Sequence, residues 1–398
     1  MGRRICGLAV VFAACAFGQT AEDFFSDKVL HDIRITIHPK DWNALVENYL
    51  DNTYYPATLE WRDLVIENVG IRSKGRTSRR ATKPGLRVDF NRYEEQEFLG
   101  LKAVLLDNNV SDFGMMRERL ASILWREMGL PAPRETHARL FVNGKYMGVY
   151  TLLEDTDKRY LRQWFKEDSG WLYEFVHRDS YRFEYLGSDP EAYVPVLFKP
   201  ETNESHPEGE VIAEMLRVIN QSSDQDFPKA IEEYLDVKAF LTHMAAESYV
   251  AEWDGILSDA GVNNLYFYRF SGGKRGMVLF KDKDLSFNGI EYEVLKNAGN
   301  NVLMRRLMAV PDWKAFLYDE IRRAAALAGA TDGLLDQQVQ VIYGQIREAA
   351  LADELKECSN GVCPVYESNA EFERHVEFLR DFARKRADEV VRQLGLMQ

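Results

Sequence analysis

The hydrophobic pattern of the chain changes along its length, and this change constrains the fold more than any other feature. In the first hundred residues, apolar and polar side chains alternate in short runs, as they do in half-buried β-strands. From Val211 onwards, apolar residues recur mainly at helical spacing. The 398 residues suffice for a sizeable core in one large domain or in two. The pattern predicts an α+β protein with two lobes, a β-rich N-terminal part and a mainly helical C-terminal part.

Local signals place the elements of the first lobe. The predicted strands are residues 32–39, 59–75, 85–90 and 101–109. The second of them is expected to break at Asn68 and Gly70, where turn-forming residues interrupt the alternation. A helix follows and is closed by Gly129. Asn143-Gly144, between two alternating runs, predicts a tight β-hairpin.

Boundaries within the chain follow from composition. Residues 31–177 are predicted to form the β-rich part, and residues 211–398 the helical part. Between them, residues 178–210 are rich in Asp, Glu, Pro, Ser and Tyr and are read as a long irregular loop. Within the helical part, alternating runs at 265–270 and 277–280 predict one inserted β-hairpin.

The N-terminus has the features of a signal peptide. In residues 1–18 an arginine pair precedes an apolar stretch, and small residues occupy the positions that a signal peptidase reads. Cleavage near Gly18 would leave a polar lead-in at 19–30, no transmembrane span, and a periplasmic or secreted protein. The alternatives are an uncleaved membrane anchor and a lipoprotein attached at Cys15.

Cysteine usage agrees with export. Two of the four cysteines fall within the predicted signal peptide. The other two, Cys358 and Cys363, enclose the loop Ser-Asn-Gly-Val, and His375 is the nearest histidine. This arrangement favours a small disulfide-closed turn in an oxidising compartment over a metal site.

The net charge of −13 makes the chain a poor general binder of nucleic acid. One segment departs from this character, since residues 71–90 carry seven Lys or Arg together with Gly75 and several hydroxyl groups. A basic turn of this kind can receive phosphate oxygens, although a solvated basic loop is the commoner meaning. The Walker and GxGxxG phosphate-loop motifs do not occur in the sequence.

Acids and amides gather on both sides of the predicted second hairpin. Its first strand is preceded, and its second strand followed, by the residues Asp254, Asp259, Asn263, Asn264, Asp282 and Asp284. Antiparallel pairing brings the start of one strand beside the end of the other, so these side chains should converge. Carboxylate and amide oxygens are hard ligands that suit Mg²⁺ or Mn²⁺.

The spacing within this group has a parallel in protein kinases. Asp259 and Asn264 are five apart, as are the proton-accepting Asp and the metal-binding Asn of a kinase catalytic loop. A further Asp beyond a short hairpin then holds the bridging metal. The alternative is that these are ordinary turn and cap residues. Glu154, after another strand, is likewise open to two readings, a partner for a phosphate-binding lysine or a helix cap.

Taken in order, several segments carry a family resemblance. They are RSKGRTS, KPGLRVDF, the run from LLDNN to DKRYL, WDGILSDAGVNNLYFYR and VLFKDKDLSF. Together they resemble the CotH family of spore-coat-type atypical kinases. The resemblance implies a divergent protein-kinase-like fold that uses ATP with Mg²⁺ or Mn²⁺. It also implies phosphorylation of Ser or Thr in a partner protein or in the chain itself.

The resemblance assigns nucleotide-side roles by position. Lys83 would contact phosphates, with Arg72 and Arg87 nearby. Glu154 matches the Glu of the family's Y-x-x-x-E segment.

On the acidic side of the site, the catalytic aspartate would be either Asp254 or Asp259. Asn264 would be the amide before the Tyr-rich strand. Asp282 would bind the metal, with Asp284 beside it.

Two other functions compete with kinase activity. Lys281 stands where the family often has Trp before the metal-binding Asp, and extracytoplasmic space holds little ATP. The chain can therefore be an inactive exported binding or surface protein, or a structural coat protein, that keeps the fold. Alternatively, Asp254 and Asp282 can serve as the carboxylate pair of a glycoside hydrolase, although the basic segment suits phosphate better than sugar.

Overall fold

The computed structural model describes residues 18–397, so the predicted signal peptide lies outside the described residues apart from Gly18. The α+β class is confirmed, because strands dominate up to Phe175 and helices dominate after Gly209. The strands are β1 (His31–Ile37), β2 (Tyr55–Trp61), β3 (Leu64–Ser73), β4 (Leu86–Asp89), β5 (Ala103–Asp107), β6 (Glu135–Val142), β7 (Lys145–Glu154), β8 (Trp171–Phe175), β9 (Phe198–Pro200), β10 (Leu265–Arg269) and β11 (Gly276–Phe280). The helices are α1 (Ala21–Phe24), α2 (Pro39–Glu47), α3 (Arg117–Glu127), α4 (Lys158–Phe165), α5 (Gly209–Gln221), α6 (Phe227–Ile231), α7 (Val237–Tyr249), α8 (Val302–Met308), α9 (Pro311–Ala328), α10 (Leu334–Leu351) and α11 (Val365–Leu396).

The first seven strands form a closed barrel in the order β1-β2-β3-β4-β5-β7-β6. Parallel pairing of β1 with β6 closes it, and the other neighbours are antiparallel. The predicted hairpin at Asn143-Gly144 joins β6 to β7, and both turn residues have positive φ, as a type I′ turn requires. Closure leaves the strands of this sheet without a free edge.

Two details of the predicted strands are wrong. The segment 59–75 turns at Arg62-Asp63, between β2 and β3, and not at Asn68 or Gly70. Asn68 has positive φ and lies in a β-bulge, where the pairing with β2 skips one residue. Gly70 stays in the strand opposite Pro56, and a Cβ there would lie 2.7 Å from the Arg92 side chain. The glycine therefore marks a close packing contact and not a chain reversal.

The remaining strands form a second sheet in the order β11-β10-β8-β9. The predicted second hairpin is confirmed, since β10 and β11 pair antiparallel with Leu265 opposite Phe280. The hairpin is not isolated, because β8 pairs with β10. The predicted loop 178–210 is largely irregular but contains β9, which pairs with β8. A strand of three residues carries too few alternations to be recognised in a sequence.

Two separate clusters of buried side chains form the core. One fills the barrel, where Phe24 packs edge to face against Trp61 and Phe98. The other joins the helices to the second sheet. Although α3 follows β5 in sequence, its Trp125 lies in this second cluster against Phe280, with ring centroids 5.3 Å apart. Helix α3 therefore belongs by packing to the helical part and borders the junction between the two.

The C-terminal cysteines behave as predicted. Cys358 and Cys363 form a disulfide in the connection between α10 and α11. Within residues 18–397, no helix combines the length and the apolar character needed to cross a bilayer.

Candidate functional site

A group of charged side chains lies between the barrel and the helical part. Strands β3 and β5 both pair antiparallel with β4, so they run the same way and end at the same edge. There Lys74, directly after β3, lies with its Nζ 3.3 Å from Oδ2 of Asp107, the last residue of β5. Burial lowers the pKa of Lys74, but the charges of Asp107, Glu118 and Asp282 outweigh it and raise that pKa. Residues of the barrel, of α3 and of the segment after β11 therefore face one another here.

We call this group the acidic cleft and define it as Lys74, Asp107, Glu118, Asp282 and Asp284. Asp282 and Asp284 follow β11, as the sequence analysis predicted. Burial raises the pKa of Asp284 well above its ordinary value, and the charges of Asp282 and Asp107 raise it further. Burial and the neighbouring carboxylates raise the pKa of Glu118 in the same way. Neighbouring buried carboxylates repel one another unless a proton or a cation neutralises one of them.

Asp254 and Asn264 meet at the open end of the hairpin, beside the acidic cleft. The side-chain amides of Asn263 and Asn264 donate to Oδ2 of Asp254 at 2.9 and 3.0 Å. Because its nitrogen donates to Asp254, the side-chain oxygen of Asn264 remains available to accept a hydrogen bond or bind a cation. Asn264 has positive φ, a left-handed conformation that Asn adopts more readily than most residues.

Asp259, the alternative catalytic aspartate, lies elsewhere. Its carboxylate accepts hydrogen bonds from Lys296 at 2.7 Å and from Asn297 at 2.8 Å, and its side chain is 54% exposed. The kinase-like spacing of five residues therefore does not bring Asp259 to Asn264. The structure joins Asp254 to that amide instead.

The predicted phosphate-binding cations are divided between two environments. Lys83 is buried, with Nζ 2.6 Å from Oδ2 of Asp353 and 3.1 Å from the carbonyl oxygen of Val149. Its partners lie on the barrel and in the connection after α10, so the ion pair fastens those two parts together. It does not lie in the acidic cleft.

The two arginines lie opposite each other on β3 and β4. Arg72 donates to the side-chain oxygen of Asn52 and lies over the Tyr54 ring. Arg87 pairs with Asp155 at 2.7 Å, and its charge slightly opposes the rise that burial causes in the pKa of Tyr266 in β10. Arg87 is thus the predicted cation that faces the helical part.

Glu154 takes neither of the two roles predicted for it. Its carboxylate accepts hydrogen bonds from Arg134, with a second arginine, Arg159, at 3.4 Å. Asp157 caps helix α4 in its place. Glu154 is therefore a buried structural partner of two arginines at the far end of β7.

Three members of the acidic cleft were not singled out from the sequence, namely Lys74, Asp107 and Glu118. Lys74 is one of seven cations in the basic segment, and nothing local distinguishes it from the others. Asp107 and Glu118 flank the loop between β5 and α3, where acids are common as turn and cap residues. The order of the strands is what places them together.

The donor set fits a hard cation. Among residues 18–397, no three His, Cys, Asp or Glu side chains already stand in a metal-ligand arrangement. Mg²⁺ is usually held by one or two carboxylates plus the phosphates of a substrate. Asp282, Asp284 and the side-chain oxygen of Asn264 are the residues that would hold such an ion.

Glu135, at the start of β6, borders the acidic cleft behind α3. Its side chain is 2% exposed, and the neighbouring Ser122 hydroxyl, which could donate to its carboxylate, donates to the Arg119 carbonyl oxygen instead. Burial raises the pKa of Glu135 to about 8. Among the neighbouring charges, that of Glu135 contributes most to the rise that burial begins in the pKa of Glu118. Deprotonation of Glu135 should therefore destabilise the folded protein.

We expect Glu135→Gln to flatten the dependence of stability on pH. The folded protein holds this proton more tightly than the unfolded chain, so wild-type stability falls as pH rises from about 4.3 through about 8. The variant should gain about 1–3 kcal/mol over wild type at pH 9 and almost nothing at pH 5. Urea unfolding at both pH values measures this, with the exposed Glu127→Gln as control. Parallel pH profiles for wild type and Glu135→Gln would contradict it.

The chain is similar to several known proteins. The family model described as "CotH kinase protein" matches residues 71–390. The inner spore coat protein H of Bacillus subtilis (strain 168) is 22% identical over 334 residues, which cover 81% of this chain and 88% of that protein. Spore coat protein homolog 1 of Rhizopus delemar is 24% identical over 251 residues, covering 60% of this chain and 39% of that protein. Among solved structures, the Helicobacter pylori proinflammatory kinase CtkA is 13% identical. The match covers 79% of this chain and 95% of that one, with a TM-score of 0.30.

Proposed function

Because the chain belongs to the CotH kinase family, we propose that it transfers the γ-phosphoryl group of ATP to Ser or Thr hydroxyls. The acceptor is another protein or the chain itself, and a divalent metal, Mg²⁺ or Mn²⁺, takes part. The observation that carries the proposal is the gathering of Asp107, Asp282 and Asp284 beside Lys74. The hydrogen-bonded pair Asp254 and Asn264 lies at the start of β10, the strand that pairs with β11.

Each group has a role that its chemistry supports. Asp254, held by two amides, orients the acceptor hydroxyl and receives its proton. Lys74 and Arg87 contact phosphate oxygens from the barrel side. Asp282, Asp284 and Asn264 hold the metal, which when bound neutralises charge on the transferred phosphoryl group. In this proposal Lys74 replaces Lys83 as the phosphate-binding lysine, because Lys83 is committed to Asp353.

A divergent kinase-like arrangement of two lobes belongs to the same proposal. The barrel and the helical part each have their own hydrophobic core, and the acidic cleft lies between them. A nucleotide in the acidic cleft would contact the barrel and the helical part at once. Lys74 would bind it from the barrel and Asp282 from the helical part. This supports a two-lobed site without requiring the N-terminal part to match an ordinary kinase lobe.

We place the mature protein outside the cytoplasm, after removal of residues 1–18. The disulfide between Cys358 and Cys363 is compatible with an oxidising compartment.

A non-catalytic surface or coat protein is the second candidate. Two observations favour it. Lys281 stands where the family often has Trp, and its Nζ is tied to Glu174 at 2.7 Å. Lys83, the lysine that the resemblance assigned to phosphate, is buried in an ion pair. A protein of this kind would keep the fold and bind no nucleotide.

The two candidates differ in how they respond to ATP. We expect ATP with Mg²⁺ or Mn²⁺ to raise the melting temperature by about 2–5 °C at a hundredfold excess over the Kd, because only the folded state binds. Asp282→Ala should abolish the metal-dependent part of this shift, whereas Asp319→Ala, an exposed acid on α9, should retain it. A thermal-shift titration with and without EDTA measures both. Absence of any shift at millimolar ATP would remove the kinase proposal and favour the non-catalytic one.

A further inference from the structure

Lys283 lies between the two proposed metal ligands in sequence but is fully buried. Its side chain is 0% exposed, whereas Asp282 is exposed and Asp284 is partly exposed. Its Nζ lies 2.9 Å from Oε1 of Glu247 and donates to the carbonyl oxygen of Asn264 at 3.0 Å. One ammonium group therefore joins the Asp282–Asp284 segment to the segment that carries Asn264.

Glu247 anchors this contact on a helix. It lies in the last turn of α7, where it is 4% exposed. Its Oε2 accepts the backbone N–H of Ile256 at 3.0 Å, and its Oε1 lies 3.3 Å from His243. The same carboxylate thus holds Lys283 from one side and the loop between α7 and β10 from the other.

A second buried carboxylate repeats the connection. Oε1 of Glu252 accepts the backbone N–H of Asp254 at 2.7 Å, and its Oε2 accepts the hydroxyl of Ser286 at 2.5 Å. Residues of the Asp254 loop and of the segment after β11 are therefore tied at two separate points. Neither tie uses the side chain of a proposed ligand or base.

We propose that Lys283 is a positioning residue, which fixes the distance between the Asp254–Asn264 pair and the Asp282–Asp284 pair. This inference rests on the proposed function, because a fixed distance matters only if the acceptor hydroxyl and the metal must be held at a set separation. A buried ammonium group bound to a carboxylate and a carbonyl cannot shift without losing charge-assisted hydrogen bonds. Positioning of this kind affects metal affinity and turnover more than substrate binding.

The competing explanation is that Lys283 only neutralises buried acids and so supports folding. Two variants separate the explanations. Lys283→Met leaves Glu247 buried and unpaired, so it tests both effects together. The double variant Lys283→Met/Glu247→Gln removes this ion pair as a unit but still lacks the contact to Asn264. Burial already raises the pKa of the remaining neighbour, Glu252, to about 7, so a proton can neutralise it. A matched control is Arg269→Met/Glu208→Gln, which removes an ion pair of 2.5 Å at the other end of β10.

The first measurement is the Mg²⁺ concentration that gives half of the ATP-dependent thermal shift. We expect at least a tenfold rise in the double variant and no more than a twofold change in the control. Where turnover is measurable, kcat should fall while KM for the acceptor stays within about twofold. A folded double variant with wild-type metal dependence would overturn the proposal.

The second measurement needs no nucleotide and keeps the two proposals distinguishable. Amide hydrogen exchange of the free proteins should rise in residues 253–264 and 281–287 of the double variant, and not in the control. If wild type ignores ATP, the proposed function fails on that result alone. Faster exchange confined to these two segments would still support the positioning role, and unchanged exchange would overturn it.

Discussion

Asp254→Asn is expected to lower the rate of phosphoryl transfer by about 10²–10⁴-fold, the usual contribution of a positioned general base. The substitution keeps the size of the side chain and its ability to accept hydrogen bonds, so binding of Mg²⁺-ATP should change little. What it removes is the charge that receives the proton of the acceptor hydroxyl. Initial rates with Mg²⁺-ATP and a Ser-containing acceptor protein, or the autophosphorylation rate, measure the effect.

Asp259→Asn is the matched comparison, since both aspartates satisfy part of the sequence pattern. Asp259 lies on the surface in an ion pair with Lys296, and exposed pairs contribute only about 0–1 kcal/mol. We therefore expect this variant to transfer phosphate at a rate within about twofold of wild type and to unfold at nearly the same temperature. A large loss in Asp259→Asn together with an active Asp254→Asn would reverse the assignment of the base.

Local sequence signals predicted the hairpins well. Asn143 and Gly144 both suit the positive φ values of a tight turn, and such a turn is determined by the four residues that form it. Antiparallel pairing of β10 with β11, which the sequence predicted, places Asn264, before β10, at the same end of the hairpin as Asp282, after β11.

Closure of the barrel did not follow from local signals. It depends on parallel pairing of β1 with β6, two strands about a hundred residues apart. Nothing in the alternation of either strand specifies its neighbour. The predicted break at Asn68 is a bulge within β3. A residue that adopts positive φ occurs in bulges as well as in turns, so the residue type alone does not distinguish them.

The identity of the cleft lysine depends on the same long-range information. Seven cations lie within residues 71–90, and the partner of each decides its role. Lys74 reaches the acidic cleft because β3 and β5 end at one edge. Arg79 instead donates to carbonyl oxygens of the loop at 49–51, and Arg80 pairs with Glu357. A sequence read without pairing information cannot separate these outcomes.

Substitution of Lys83 is expected to lower the stability of the fold substantially. Its partner Asp353 is 270 positions away in sequence and has a fully buried side chain. The same carboxylate accepts the backbone N–H groups of Val149 and Leu355. The carboxylate fits beside Gly148 only because this residue has no side chain, since a Cβ there would lie 2.1 Å from Asp353. The carboxylate is therefore held firmly and cannot move to water when its lysine is removed.

Lys83→Met should accordingly lower the free energy of unfolding by about 3–5 kcal/mol, the cost of leaving one buried charge unpaired. The double variant Lys83→Met/Asp353→Asn should recover much of this loss, because the uncompensated charge is gone. Urea unfolding followed by circular dichroism measures both. A loss below about 1 kcal/mol in the single variant would show that water reaches Asp353 and that the pair is not structural.

Lys74→Met should behave in the opposite way, and the contrast decides which lysine serves the nucleotide. Its pair with Asp107 is 22% and 21% exposed, against 5% and 0% for the Lys83–Asp353 pair, so its removal should cost less stability than Lys83→Met does. Loss of a charge-assisted contact to phosphate should weaken binding of Mg²⁺-ATP by about 10–100-fold. Lys83→Met, once folded, should bind Mg²⁺-ATP with wild-type affinity. If the affinity falls in Lys83→Met and not in Lys74→Met, the phosphate site lies near the Lys83–Asp353 pair and the acidic cleft has another use.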